Sequence, residues 1–211
     1  MAISTYPLIR SAVWDLLDIN QVSQTDFNTA KTDILLAGSE DQIYRDIKTR
    51  EMETALSSTV ITSSGLVALP ADYVELKNAY IDGSPTTPLQ RKSAEWIYQK
   101  YPTRSSDGKP KFIAREGSNF LFGPFPDSSY LVKGIYYAKT VVAGTSAALT
   151  GMLSTSPLLW VFKGASDVAI AMGNAAYGQI WNARYQDLKK TITETDDREE
   201  YSGSPPAVTQ G

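Results

Sequence analysis

YRDIKTREMETA (residues 44–55) changes its repeat half-way along. Asp41 to Arg45 and Asp46 to Arg50 are acid-first i,i+4 pairs. Such pairs support a solvated helix face by about 0.2–0.5 kcal/mol each. After Arg50 the apolar period falls from that of a helix to that of a strand. Met52, Thr54 and Leu56 alternate with Glu51, Glu53 and Ala55, so a helix hands over to a strand here. Arg45, Asp46, Lys48, Arg50, Glu51 and Glu53 crowd the handover. That cluster reads either as a catalytic site or as a surface that holds another protein.

Upstream, residues 6–19 have Ile9, Ala12, Val13 and Leu16 at helical spacing, with Thr5 placed to cap and Pro7 in the first turn. Residues 25–37 form a second helical pattern with Phe27, Ala30 and Ile34 on one face. Gly38 is a C′ stop if Ser39 and Gln42 form a capping box, and a weak point if one helix runs through it. Ile43 and Ile47 carry the apolar face onward.

Downstream, residues 52–142 read as β. STVITSSGLVALPADY (58–73) contains two strands joined at Ser63-Ser64-Gly65. The next strand puts Val74, Leu76 and Tyr80 on one face before an Asp82-Gly83 turn, and 93–102 is a short helix ended by Pro102. Three strands fill 109–139 after a polar loop. Ser156-Pro157 is a strong helix start, followed by a stripe of Leu158, Val161, Ala165, Val168, Ala169, Met172 and Ala176. Gly173-Asn174 is a break, and a last helix with Ile180, Trp181, Tyr185, Leu188 and Ile192 runs to about Tyr201. The expected fold class is α+β. Residues 1–50 and 156–202 make a helical bundle from both ends of the chain, and 51–143 are an inserted antiparallel β lobe with a short helix at 93–101. Residues 144–155 are a small-residue linker and 203–211 a flexible tail.

Composition removes whole classes of chemistry. With 211 residues the chain can bury a core without staples. It has no cysteine and no histidine, which removes thiolate catalysis, Ser-His-Asp triads and HExxH zinc sites. Carboxylate, lysine and tyrosine chemistry remain. A net charge of −3 marks neither a nucleic-acid binder nor an acidic tail. The first 20 residues lack a signal-peptide pattern and no segment is apolar enough to span a membrane, so a cytoplasmic origin and no membrane anchor are expected.

Each remaining candidate has an ordinary reading beside it. Glu51 and Glu53 are an acid/base or metal pair if they share a strand face over a cleft, and otherwise solvated neighbours of Lys48 and Arg50. ETDDREE (194–200) lacks the spaced ligands and glycine of a calcium loop and reads as a polar helix end facing a basic partner. Gly117, Gly123 and Gly134 match no phosphate loop and read as β bends. Trp96, Tyr98, Tyr101, Tyr136 and Tyr137 are stacking platforms for sugars or bases, or else core and interface anchors. No basic stripe accompanies them. No catalytic, cofactor-binding or metal residue is therefore assigned.

Four elements in order then carry a resemblance: IYRDIKTREMET (43–54), VALPADYVELKNAYIDG (67–83), KPKFIAREGSNFLFGPFPDSSYLVKGIYYAK (109–139) and a C-terminal helix pair ending DREEYSG (197–203). Together they resemble the head-to-tail adaptor (connector) proteins of podovirus-like tailed bacteriophages. The resemblance implies a non-enzymatic virion protein without cofactors, assembled in the bacterial cytoplasm. It implies a dodecameric ring under the portal protein, with the helical part on the portal and the β lobe toward the tail nozzle and tail fibre proteins. Genome DNA would pass through the channel without sequence-specific binding. A closed ring needs two different surfaces per subunit. Arg45, Lys48, Arg50, Glu51 and Glu53 are expected on one, and Asp196, Asp197, Glu199 and Glu200 on the other. Gly203, Ser204, Pro205, Pro206 and Val208 are expected to contact the portal as an added strand or threaded segment. The alternatives are a carbohydrate- or ligand-binding β module with helical flanks, and a carboxylate enzyme built on Glu51 and Glu53.

Overall fold

A computed structural model describes residues 3–18, 29–61, 65–103 and 108–200, with 57–61 as backbone only. The fold is α+β, with six α-helices and eight strands among the described residues. It divides into two compact units, Met1–Met52 with Thr140–Gly211, and Glu53–Lys139.

In the first unit, helix α1 (Tyr6–Leu16) buries Tyr6, Ile9, Val13 and Trp14. Thr5 stands at its N-cap without a side-chain bond, and the Thr5 carbonyl takes the first N–H groups instead. The expected helix 25–37 is part of a longer one. Helix α2 (Thr29–Asp46) runs unbroken through Gly38, and 25–28 lie outside the described residues. Gly38 faces open space, so its cost is only the usual ~1 kcal/mol of a helical glycine. Ser39 is not a cap: its hydroxyl lies 2.6 Å from Asp167 and 3.0 Å from the Leu35 carbonyl, and its one proton is shared between these two acceptors. The buried face of α2 also differs from the expected one. Ile34 is 73% exposed and Ala30 is exposed, whereas Thr32, Leu36, Ser39, Glu40, Ile43 and Tyr44 are buried. Half of that face is polar, and each polar group has a partner. Thr32 accepts from the Trp14 indole at 3.2 Å, and Glu40 accepts from the backbone N–H groups of Val142 and Ala143 at 2.9 and 3.1 Å.

Helices α4 (Met152–Thr155), α5 (Pro157–Ala171) and α6 (Ala175–Glu200) follow. Pro157 opens α5 as expected, and Val161, Ala165, Val168 and Ala169 of the expected stripe are buried, but Leu158 is 48% exposed and Leu159 and Trp160 go inside instead. Trp160 packs on Tyr6 with ring centroids 5.5 Å apart and donates its indole N–H to the Leu36 carbonyl at 3.0 Å. Gly164 lets α2 and α5 approach, since a Cβ there would lie 2.3 Å from the Leu36 side chain. Along α6 only Gly178 and Tyr185 are buried, while Ile180 is 54% exposed.

The second unit holds two four-stranded sheets. One is ordered β1 (Glu53–Ile61), β8 (Tyr130–Ala138), β3 (Tyr73–Ile81), β4 (Thr87–Pro88). The other is β2 (Leu66–Ala68), β7 (Asn119–Gly123), β6 (Phe112–Glu116), β5 (Gln90–Arg91). A core of Leu76, Ile81, Ile113, Phe120, Phe122, Val132 and Tyr136 is shared by both. The expectation of a purely antiparallel lobe is corrected at one pair: β5 runs parallel to β6. Helix α3 (Ala94–Lys100) lies between those strands in sequence and supplies the crossover that a parallel pair needs. Ser93 caps α3 through Trp96 N–H.

Candidate functional site

The handover stretch places its charges on separate partners. Helix α2 ends at Asp46 and a 3-10 turn follows at Arg50–Met52. Arg45 makes the expected pair with Asp41, at 2.5 Å, with its side chain 74% exposed. The expected Asp46–Arg50 pair is not made, because the helix stops before Arg50 can lie one turn above Asp46. Asp46 instead accepts from the Tyr185 hydroxyl at 3.0 Å and meets Lys189 at 3.4 Å. Burial and that carboxylate push the Tyr185 phenol well above its ordinary range. Lys48 donates to the carbonyls of Tyr44 and Arg45 at 2.9 and 2.6 Å, closing the end of α2, where a cation is favoured by the helix dipole.

Arg50 turns to α6. Its backbone N–H donates to Asp196 at 3.2 Å, its Nε lies 3.8 Å from the same carboxylate, and its guanidinium donates to Glu199. The pairing of Arg50 with the acidic helix end, expected between neighbouring subunits, is therefore made within one chain here. Glu51 accepts from the Thr155 hydroxyl at 2.8 Å. Glu53 starts β1 in the other unit and pairs with Lys77 at 2.6 Å, both side chains mostly covered. Glu51 and Glu53 thus belong to different elements with different partners and do not form a paired-carboxylate centre. Asp197 and Glu200 are exposed. Gly203, Ser204, Pro205, Pro206 and Val208 lie outside the described residues.

These contacts frame a cleft of about 630 Å³ on the helical unit. Thr49, Arg50 and Glu51 form one wall, Met152, Thr155 and Ser156 the second, and one face of α6 from Leu188 to Glu199 the third. Its lining is mainly apolar, with Arg50, Glu51, Asp196 and Glu199 as its charged members. Thr49 is 3% exposed, and its hydroxyl has no hydrogen-bond partner among the described residues. No signal in the sequence marks this cleft, because its walls come from three segments that are distant along the chain.

The aromatic candidates are used for packing. Trp96 stacks edge-on against Phe112 at 4.8 Å, Tyr98 lies 6.5 Å from Phe125 and Tyr101 6.4 Å from Phe112. Tyr136 is buried, donates to Asp72 at 2.9 Å and is pushed up to about 12, chiefly by burial. Tyr137 sits on β8 opposite Glu53. A smaller cleft of about 170 Å³ in the β unit holds Arg91, Lys92 and Arg115 with Tyr73 and Glu75. Arg115 lies over the Tyr73 ring at 5.7 Å and Arg91 meets Glu75 at 3.6 Å. Among the described residues no group of three or more Asp and Glu side chains is placed to hold a metal ion. No described helix is long and apolar enough to cross a membrane.

A protein-family model described as SU10 adaptor protein matches residues 4–209. A search of curated proteins returns no match.

Proposed function

Because the chain belongs to the SU10 adaptor protein family, a family of phage structural adaptors, we propose that it forms the head-to-tail adaptor ring of a tailed phage. In this reading the subunits form a dodecamer beneath the portal protein and join it to the tail nozzle and fibres. They line the channel through which genome DNA leaves. The helical unit, gathered from both ends of the chain, is the bundle that docks on the portal, and the unit at Glu53–Lys139 is the lobe directed toward the tail. The observation that carries the reading is the match of the adaptor family over almost the whole chain.

The charged residues divide by how they are engaged. Arg45, Asp197 and Glu200 are exposed and are the groups proposed to meet the neighbouring subunit. Lys48 supports that surface by closing the end of α2, and Arg50, Glu51, Asp196 and Glu199 by tying 50–51 to α4 and α6. Glu53 braces the first strand of the lobe through Lys77. Gly203 to Val208 are proposed to reach the portal.

The test is electron microscopy and mass photometry of the purified protein alone and mixed with portal rings. A ring of twelve copies seated on the portal is expected. Arg45→Glu is expected to weaken ring formation and to do so more at low salt, where an exposed pair is less screened. A protein that stays monomeric beside intact portals would overturn the proposal.

A further inference from the structure

The helical unit leaves two helix faces uncovered, and their patterns match. Six large apolar side chains are exposed among the described residues: Ile34, Val141, Leu158, Ile170, Tyr177 and Ile180. All of them belong to the helical unit and none to the β unit. Three stand on outward helix faces that continue into charge. On α2, Ile34 is followed one turn later by Gly38 and then by Asp41 and Arg45. On α6, Tyr177 and Ile180 are followed by Arg184 and Asp187. Asp41 is half-buried and the rest are exposed.

Two details point to a partner outside the chain. Gly38 weakens α2, and nothing in the chain lies within 4 Å of where its side chain would stand. Its small size therefore serves no packing inside the subunit, but it leaves a groove for a bulky side chain from another helix. Arg184 and Asp187 form no ion pair among the described residues.

The spacing then selects the partner. Ile34 and Asp41 are seven residues apart, as are Tyr177 and Arg184, which is about 10.5 Å along either helix. With the helices parallel and Ile34 on Tyr177, Ile180 falls over Ala37 and Gly38. Asp41 then meets Arg184, and Arg45 meets Asp187. The order is acid then base on α2 and base then acid on α6, so both pairs attract. In the antiparallel arrangement with Ile34 on Ile180, Asp41 and Arg45 face the stretch 168–183, which holds no Asp, Glu, Lys or Arg. Charges beside an apolar seam set partner and direction in paired helices.

We infer that α2 of one copy packs parallel to α6 of a second copy, with Ile180 seated on Gly38 and the charges of 41 and 45 matched by those of 184 and 187. The inference rests on the reading that copies of the chain assemble side by side, and it names the two surfaces that meet. They differ from one another, so each copy offers one and receives one, as a closed ring requires. One such seam is short and holds two free copies weakly, whereas a ring makes it on both sides of every copy.

The test inverts one helix at a time. Asp41→Arg with Arg45→Asp keeps the net charge and reverses the order of signs on α2. Arg184→Asp with Asp187→Arg does the same on α6. Sedimentation equilibrium of the free protein, taken to its highest attainable concentration, reads self-association. Each double variant is expected to associate about ten times more weakly, since two attractive pairs become repulsive. The variant with all four changes is expected to recover most of the loss. Gly38→Gln is expected to melt no lower than the unaltered protein, because it removes a helical glycine, and yet to associate about ten times more weakly because the groove is filled. That split separates a seam from a folding defect. Equal association in every variant, no recovery in the fourfold variant, or no self-association of the unaltered protein at any concentration would each overturn the inference. Variants with unchanged association that still build rings on portals would sink the seam and leave the adaptor reading standing. A seam that behaves as expected in a protein that never seats on portals would do the reverse.

Discussion

Replacing Glu40 by alanine is expected to destabilise the helical unit by about 2–4 kcal/mol. Glu40 is 1% exposed and accepts from two backbone N–H groups, Val142 at 2.9 Å and Ala143 at 3.1 Å. These residues lie where the chain rejoins the helices after the β unit. Alanine removes both acceptors. The Val142 residue is buried, so its N–H would bear the full penalty of an unmet donor, about 1–3 kcal/mol. Ala143 is half-buried and can turn toward water, so its N–H adds roughly 1 kcal/mol. Glu40→Gln keeps one oxygen but points an amide N–H₂ at the second donor, and is expected to cost about half as much. Urea unfolding followed by tryptophan fluorescence is the assay, because Trp14, Trp160 and Trp181 all report on this unit. At a slope near 2 kcal/mol per molar urea the alanine variant should unfold about 1–2 M earlier. A change under about 0.5 kcal/mol, the size of an ordinary surface substitution, would refute the claim that Glu40 holds the returning chain.

Two further outcomes follow from packing and titration. Gly134 on β8 stands between Leu56 and Ala79, and a Cβ there would lie 2.2 Å from the Asn78 carbonyl oxygen and 2.9 Å from Ala79 Cα. Gly134→Ala is therefore expected to cost about 3 kcal/mol or more, whereas Gly164→Ala, which meets the movable end of Leu36, should cost about 1–2 kcal/mol. Thermal melts that rank the two the other way would contradict this. Tyr44 and Tyr136 are pushed up to about 12 by burial, and Tyr6 and Tyr185 higher still. Tyrosines of the unfolded chain ionise near pH 10 while these keep their protons, so the unfolded state binds fewer protons above that pH. Stability should be complete below pH 10 and fall from pH 10 to 12. Denaturation midpoints at pH 8, 10 and 11 measure it, and Tyr44→Phe should soften the fall.

Much of the architecture was legible because it rests on local signals. The change of period after Arg50, Pro157 at the start of α5 and the break at Gly173-Asn174 all coincide with element ends, since backbone preferences act within a few residues. The buried side of α2 was not legible. Thr32, Ser39 and Glu40 go inside because Trp14, Asp167 and the Val142–Ala143 backbone meet them, and those partners are distant along the chain. The fate of Arg50 failed for the same reason: an i,i+4 rule assumes a helix that continues, and α2 stops four residues too early. The parallel β5 is two residues long, too short to show a period. Of the candidate residues, the sequence marked the charges but could not show which partners they would find.

The way the chain crosses into the sheets has a consequence for how such proteins diversify. Glu53, the first residue of the β unit, lies opposite Tyr137, close to its last, as direct neighbours on β1 and β8. Residues paired in that way have Cα atoms only about 4.5–5.5 Å apart. The two strands therefore form a socket, and whatever loops or strands are spliced between them return the polypeptide to the place it left. Lengthening, trimming or exchanging everything between 57 and 131 asks nothing new of the helices. A lineage can thus rebuild the β unit while the helical unit is left as it is.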